Sequence, residues 1–141
     1  MTSVRHLARA VGSTGPTTPP YRVDLQVRAH ELVADEPVDR GGGDLGPTPF
    51  GLLASALAAC TAITLRMYAI RKGWELTPIQ VDVRYDLDDD HAASFARTVT
   101  VPIDLGDDQR EHLADVAERT PVTLALRGGT PILTTFTSIE A

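Results

Sequence analysis

The sequence GPTPFGLLASALAACTAITLRMYAIRKGW, residues 46–74, combines a helix start, a long apolar body and a helix stop. Thr48 suits the N-cap position of a helix, Pro49 suits its first position, and Gly73 suits its end. Between them, apolar and small side chains recur every three to four residues, and charged side chains enter only near the C-terminal end. The stretch therefore predicts one long helix, up to Lys72, that is buried on most of its sides.

Alternating apolar and polar residues predict β-strands on both sides of this helix. Before the helix, residues 21–27 and 30–34 are expected to form a hairpin, and a looser edge strand over residues 3–11 is expected to end before Ser13. After the helix, residues 79–87 and 95–105 predict a second hairpin.

Capping signals predict two shorter helices after the second hairpin. Asp107 or Asp108 suits the N-cap of the first, which is expected to run to about Arg119. Thr120 has the chemistry of an N-cap for the second, and Pro121 suits the next position.

The last segment, from Ile132 to Ile139, is expected to form a closing strand. The predicted order is therefore β-β-β-α-β-β-α-α-β, which is typical of an α+β fold rather than a doubly wound parallel sheet. No internal repeat or low-complexity linker interrupts the chain. Its 141 residues are expected to form a single domain, 1–141.

Composition argues against several classes of function. The formal net charge is −6 and the Lys and Arg residues form no cluster, so we expect no nucleic-acid partner. We expect no membrane span, because no apolar run approaches the roughly 18 uncharged residues that one needs. The N-terminus lacks the apolar core of a secretory signal, and the single cysteine cannot form an internal disulfide. Both features favour a cytoplasmic protein.

Three local patterns suggest ligand sites but lack the residues that such sites need. The glycines at 41–43 are not followed by the lysine and hydroxyl of a phosphate-binding loop, so we interpret them as a flexible lead-in to the helix. The acidic run 86–91 lacks the Gly and Glu of an EF-hand, which favours a solvated loop tip. The histidines are dispersed, and the sequence predicts no metal and no cofactor; they are His6, His30, His91 and His112.

Cys60 is the remaining candidate for chemistry. Judged from the residues alone, it is either a buried, small apolar side chain or a reactive thiol. It lies in the middle of the predicted helix, where the dipole of its own helix does not activate it. A reactive thiol here would need a cation, a hydrogen-bond donor or another helix N-terminus beside it.

Four segments, taken together, resemble the OsmC/Ohr family of osmotically inducible and organic hydroperoxide resistance proteins. The matching segments are HELVADEP at 30–37, the glycine-rich loop and long helix at 41–74, VDVRYDL at 81–87, and HLADVAERTPV at 112–122. They follow the order of the family and span most of the chain. The chain is therefore identified as a member of this family.

The resemblance implies an α+β fold, an intertwined homodimer and thiol sites at the subunit interface. Active members of the family reduce organic hydroperoxides. A thiolate attacks the O–O bond and becomes a sulfenic acid, a second cysteine closes a disulfide, and a dithiol reduces that disulfide. Cys60 falls on the attacking position.

The chain departs from the family pattern at its second cysteine. That position is occupied by Thr120, so a two-cysteine mechanism is excluded. Relatives that reduce hydroperoxides also resemble one another in a glutamate at the start of the helix, where this chain has Phe50 and Gly51. They further use an arginine from the N-terminal strands, for which Arg22 and Arg28 are the possible counterparts.

Three interpretations follow. The protein is a one-cysteine thiol peroxidase resolved by an external thiol reductant, a binding protein for a small apolar ligand at the dimer interface, or a structural relic of the family. A carboxylate and a cation around Cys60 would favour the first interpretation, and an apolar, unpolarised thiol would favour the second.

Overall fold

The computed structural model of the protein describes residues 3–15, 19–102 and 104–139. The chain divides into two compact units, residues 1–55 and 56–141, and each unit contains one antiparallel sheet. Antiparallel sheets together with a long helix confirm the predicted α+β class. The assignment of the whole chain to a single domain stays a prediction.

The sheet of the first unit has three strands in the order β1-β2-β3. They are β1 (Val11–Thr14), β2 (Val23–Val27) and β3 (His30–Ala34). β2 shows the predicted alternation, with half-buried positions separated by exposed ones, and it begins at Val23 rather than at Tyr21. The bounds of β3 and its antiparallel pairing with β2 are as predicted.

The predicted edge strand over residues 3–11 is wrong in its position. The structure has no regular secondary structure from residue 3 to residue 10, and β1 begins at Val11. Ser13, which was expected to lie beyond the strand, is paired with Asp24 of β2. The antiparallel register with β2, rather than local alternation of side chains, therefore sets where β1 lies.

The glycine-rich segment after β3 surrounds the buried carboxylate of Asp35. The carboxylate accepts hydrogen bonds from the backbone N–H groups of Glu36 at 2.8 Å, Gly43 at 3.1 Å and Leu45 at 3.2 Å. A Cβ atom on Gly42 would lie 1.9 Å from the carbonyl oxygen of Glu36, so only glycine fits there. The interpretation of this segment as a flexible lead-in is therefore wrong, because its own hydrogen bonds hold it.

The long helix begins and ends where the sequence predicts. After a short 3₁₀-helix, Val38–Arg40, and the glycine-rich loop, α1 spans Pro49–Lys72. The hydroxyl of Thr48 accepts a hydrogen bond from the backbone N–H of Gly51 at 3.0 Å, which is the N-cap interaction. Gly73 has a φ of 73°, the left-handed conformation that ends many helices.

Burial of α1 is less complete than predicted. Within one chain its buried residues follow a single stripe at intervals of four: Leu57, Thr61, Leu65 and Ala69. Other apolar side chains of the helix are more than half exposed, at 55%, 61% and 63%: Ile63, Met67 and Ile70. The single chain therefore covers one side of α1 rather than most of its sides.

The expectation that no segment is long and apolar enough to span a membrane is wrong for α1. By length and composition alone, this 24-residue helix could cross a membrane, although the sequence was expected to contain no such segment. The core helix of a soluble protein passes the same test. Length and hydropathy therefore do not distinguish the two environments for α1.

The second unit contains the hairpin of β4 (Gln80–Leu87) and β5 (Ala93–Thr100). The hairpin was predicted, but β5 ends before Pro102, which has no N–H to donate to a ladder. At the acidic tip, one carboxylate oxygen of Asp88 accepts hydrogen bonds from two backbone N–H groups, each at 2.9 Å. This oxygen therefore closes the turn.

Two helices follow the hairpin, α2 (Asp107–Ala117) and α3 (Pro121–Gly128). The N-cap of α2 is Gly106, so the prediction of an aspartate at this position is wrong; the Gln109 side chain accepts a hydrogen bond from the Gly106 N–H at 2.9 Å. The aspartates lie in the first turn, where the helix dipole favours negative charge. The core of this unit consists of buried aliphatic side chains: Leu65, Ala69, Leu76, Leu105, Leu113 and Ala117.

The predicted closing strand, Ile132–Ile139, is not present. The structure assigns no helix or strand to residues 129–139. Four apolar side chains of this segment are between 87% and 98% exposed: Ile132, Leu133, Phe136 and Ile139. A segment becomes a strand only where a second strand offers backbone groups to pair with, and here the described residues pair with none.

The buried carboxylate of Asp35 predicts a specific dependence of stability on pH. Burial alone raises the pKa of this carboxyl, but the three backbone donors and the charge of Arg22 outweigh burial and lower the pKa below its ordinary value of 3.8. The ionised carboxylate thus stabilises the folded state at neutral pH, and this contribution is lost as the pH falls below 3.8.

We expect Asp35→Asn to lower the melting temperature at pH 7, because an amide cannot accept all three hydrogen bonds. The difference from the wild type should shrink as the pH falls below 3.8 and the wild-type carboxylate takes up a proton. Thermal unfolding at a series of pH values measures this effect. Asp39→Asn, at an exposed position of the 3₁₀-helix, is the matched control and should leave the profile unchanged. A difference in melting temperature that stays constant with pH would contradict the conclusion that the ionised Asp35 carboxylate stabilises the folded state.

Candidate functional site

Cys60 lies on α1 beside the buried stripe rather than within it. The free thiol is half-buried, and its sulfur is 4.0 Å from the hydroxyl oxygen of Thr64, one helical turn further along. Its sequence neighbour Thr61 is fully buried. Partial burial of the thiol leaves open both alternatives that the residues allow for Cys60.

Among the described residues after Ser55, no guanidinium, ammonium or carboxylate group lies within hydrogen-bonding distance of the Cys60 sulfur. The other residues proposed to line the site, Arg22 and Phe50, belong to the first unit. Arg22 forms an exposed ion pair with Asp24, at 3.0 Å between Nη2 and Oδ1, and Phe50 is 57% exposed.

Thr120 occupies the N-cap position of α3, but its hydroxyl does not cap the helix as predicted. The side chain accepts no capping hydrogen bond from the backbone N–H groups in the first turn of α3. It is fully buried, and its oxygen lies 2.6 Å from the hydroxyl oxygen of Thr123. Threonine at this position therefore belongs to a buried hydroxyl pair.

Sequence reasoning missed Arg97, which organises this buried hydroxyl pair. Its side chain is 12% exposed. Nη1 donates to the hydroxyl oxygens of Thr61 at 3.0 Å and Thr123 at 2.9 Å, and Nη2 donates to the carbonyl oxygen of Ala117 at 3.0 Å. One guanidinium thus connects β5, α1, the end of α2 and α3. The sequence did carry a signal, since Arg97 occupies an inward position of β5, between the half-buried Phe95 and Val99.

A cavity of about 380 Å³ opens beside Arg97 within the second unit. Its apolar lining consists of Leu57, Phe95 and Leu126. Its polar lining consists of Arg97, Glu118, Thr123 and Arg127. The cavity therefore combines an apolar wall with a charged one, which is typical of sites for small amphipathic molecules.

Glu118 is the acidic group of this cavity. Its carboxylate accepts a hydrogen bond from Arg127 and lies 3.9 Å from Nη2 of Arg97. The hydrogen bond from Arg127, together with the charges of both arginines, outweighs partial burial and lowers the pKa of the Glu118 carboxyl below its ordinary range. Glu118 is therefore an anion at neutral pH.

Comparison with known families follows from these features. A family model described as OsmC-like protein matches residues 41–135, which include α1, the second hairpin and both shorter helices. The chain belongs to the OsmC-like family. The resemblance drawn from the sequence is thus confirmed. OsmC-like proteins are soluble, which supports an aqueous setting for α1 rather than a membrane.

Solved structures of OsmC and Ohr proteins share the fold of this chain. An osmotic stress induced and detoxification response protein from Psychrobacter arcticus has a TM-score of 0.70 at 19% identity, covering 92% of each chain. OhrB of Bacillus subtilis has a TM-score of 0.60 at 22% identity, covering 87% of this chain and 92% of its own.

A third structure is an organic hydroperoxide resistance protein from Vibrio cholerae with captopril bound in one of its active sites. Its TM-score is 0.62 at 24% identity, and the match covers 89% of this chain and 88% of the other. At these identities the likeness shows the fold alone. No curated protein sequence matches the chain.

The hydrogen bonds around Arg97 predict that removing one hydroxyl group lowers the free energy of unfolding. Thr123→Val keeps the shape of the side chain but removes an acceptor of Arg97 and the partner of Thr120. We expect the free energy of unfolding to fall by about 1–3 kcal/mol, the usual cost of leaving a buried polar group without its partner. Denaturant unfolding measures this change.

Thr130→Val is the matched control, because its exposed hydroxyl makes only one long contact, 3.4 Å, to a backbone carbonyl. Its effect should stay within about 0.5 kcal/mol. Equal effects of the two substitutions would show that the Thr123 hydroxyl does not support Arg97.

Proposed function

We propose that this OsmC-like protein is a one-cysteine thiol peroxidase that reduces organic hydroperoxides through Cys60. The observation that supports the proposal is the position of the thiol on α1. It is half-buried, beside the stripe of side chains that packs into the core. A peroxide can reach a sulfur in such a position, whereas a fully buried structural thiol is inert.

The chemistry balances with one hydroperoxide and two external thiols. The Cys60 thiolate attacks one peroxide oxygen, the O–O bond breaks, and the departing alkoxide takes up a proton to leave as an alcohol. The sulfenic acid formed on Cys60 condenses with the first thiol, which releases water and gives a mixed disulfide. The second thiol displaces the Cys60 thiolate and leaves with the first as a disulfide.

An external thiol is needed in this cycle because of Thr120. A hydroxyl group cannot form a disulfide, and the Thr120 side chain is fully buried against Thr123. The reductant must therefore come from outside the chain.

Cys60→Ser tests the proposal directly. With cumene hydroperoxide and a dithiol in excess, we expect the wild type to consume peroxide and the variant to fall to the rate of the blank. The free energy of unfolding should change by no more than about 1–2 kcal/mol, because a hydroxyl replaces a thiol at a partly buried site. Mass spectrometry of the peroxide-treated wild type should show one added oxygen atom at Cys60. Peroxide consumption by the serine variant at the wild-type rate would exclude Cys60 as the nucleophile.

A second candidate function is the binding of a small apolar ligand at a dimer interface, without turnover. The surroundings of the sulfur favour it, since Thr64 supplies the polar contact and the described residues of the second unit bring no charged group close. The same assay separates the candidates. A wild type whose Cys60 is not oxidised by cumene hydroperoxide would support ligand binding.

We further propose that the protein is a cytoplasmic homodimer. Two apolar surfaces of the single chain support association. The first is the exposed face of α1, at intervals of four and three residues, formed by Ile63, Met67 and Ile70. The second is the exposed segment at residues 132–139, which has no paired strand among the described residues and could pair with a partner chain.

Sedimentation velocity at micromolar concentration should show a dimer for the wild type. Met67→Glu should shift the protein toward monomer, because it places a charge in the centre of the exposed apolar face of α1. Lys72→Glu, at the exposed end of the same helix, is the control and should remain dimeric. A wild type that sediments as a monomer would contradict the proposal.

A further inference from the structure

The cavity beside Arg97 holds more positive than negative charge. Its lining contains two guanidinium groups, Arg97 and Arg127, and one carboxylate, Glu118. This carboxylate contacts both cations and serves as their common counter-ion. The cavity thus carries one excess positive charge, in a chain whose formal net charge is −6. An anion is the ligand that this local charge favours.

Arg97 is not fully neutralised by its own contacts. The acceptors of its three hydrogen bonds are uncharged, namely two hydroxyl oxygens and one carbonyl oxygen. At 3.9 Å, Glu118 is too far from Nη2 to accept a hydrogen bond. Among the described residues, one Nη2 hydrogen of Arg97 therefore has no acceptor, and a carboxylate in the cavity could accept it at close range.

The rest of the lining selects an organic anion over an inorganic one. Leu57, Phe95 and Leu126 supply an apolar wall of the cavity. A hydrocarbon group against this wall is removed from water, which contributes favourable free energy in proportion to the area covered. The volume, about 380 Å³, falls within the range of small-molecule sites.

We propose that this cavity binds a small organic monocarboxylate. Its carboxylate lies between Arg97 and Arg127, and its hydrocarbon chain covers Leu57, Phe95 and Leu126. In the unliganded chain, Glu118 pairs with both arginines and therefore competes with the ligand for them. When the ligand binds, Glu118 loses part of these contacts. The site lies within the second unit and does not depend on reaction at Cys60.

Octanoate is a suitable probe, and isothermal titration calorimetry is a suitable measurement. We expect octanoate to bind with one site per chain. Octanol and octylammonium have the same chain length but lack the negative charge, and they should bind more weakly by about tenfold or more. Equal binding of octanol would show that the apolar wall acts alone. Stronger binding of octylammonium would overturn the proposal, because it would mean that Glu118 dominates the cavity.

Two substitutions should move octanoate affinity in opposite directions. Arg127→Met removes one cation at an exposed rim position and should weaken binding by about tenfold or more. Glu118→Gln removes the competing negative charge and should strengthen binding several-fold. Arg84→Met, which removes an exposed arginine of β4 outside the cavity, is the control and should leave the affinity unchanged.

Cys60→Ser separates this proposal from the peroxidase proposal. The serine variant should bind octanoate as the wild type does, even though it has lost peroxide consumption. An absence of octanoate binding, or binding that neither Arg127→Met nor Glu118→Gln alters, would overturn the monocarboxylate site. Neither result would bear on the reaction of Cys60.

Discussion

The second unit depends on a buried guanidinium. Removing Arg97 from water is costly unless its N–H groups find acceptors, and the chain supplies them from three helices. Thr61 must face inward from α1, Thr123 must face inward from α3, and α2 must end so that the carbonyl of Ala117 points at β5. The position of each helix is thus tied to one side chain on a strand. The apolar cluster around Leu65 removes hydrocarbon surface from water, and the hydrogen bonds of Arg97 fix how the helices are oriented.

This network also gives Thr120 a physical role. The resemblance to the family matches this position with the family's second cysteine. In this chain the hydroxyl of Thr120 pairs with Thr123, and Thr123 in turn accepts from Arg97. The start of α3 is thus tied to β5 through this cluster of polar side chains.

Local sequence patterns predicted most of the helices and strands, because each of these patterns acts over only a few residues. The caps of α1, the alternation of β2 and the hairpin of β4 and β5 each follow from such short-range rules. The errors arise where distant partners decide the outcome. β1 lies where β2 pairs with it, and residues 132–139 lack a paired strand although a strand was expected there. Cys60 was found as the single cysteine and Thr120 by resemblance, whereas Arg97 was visible only as a charge at an inward strand position.

The glycines of the loop around Asp35 bear on how far this sequence can vary. A Cβ atom on Gly46 would lie 2.0 Å from the carbonyl oxygen of Val33, a contact that no side chain can avoid by changing rotamer. At Gly128 the same atom would meet nothing within 4 Å. Glycines at different positions of this chain therefore differ greatly in how well they tolerate substitution. A library of substitutions should accept many residues at the end of α3 and almost none in the loop, although composition alone would rank the loop as the more permissive segment.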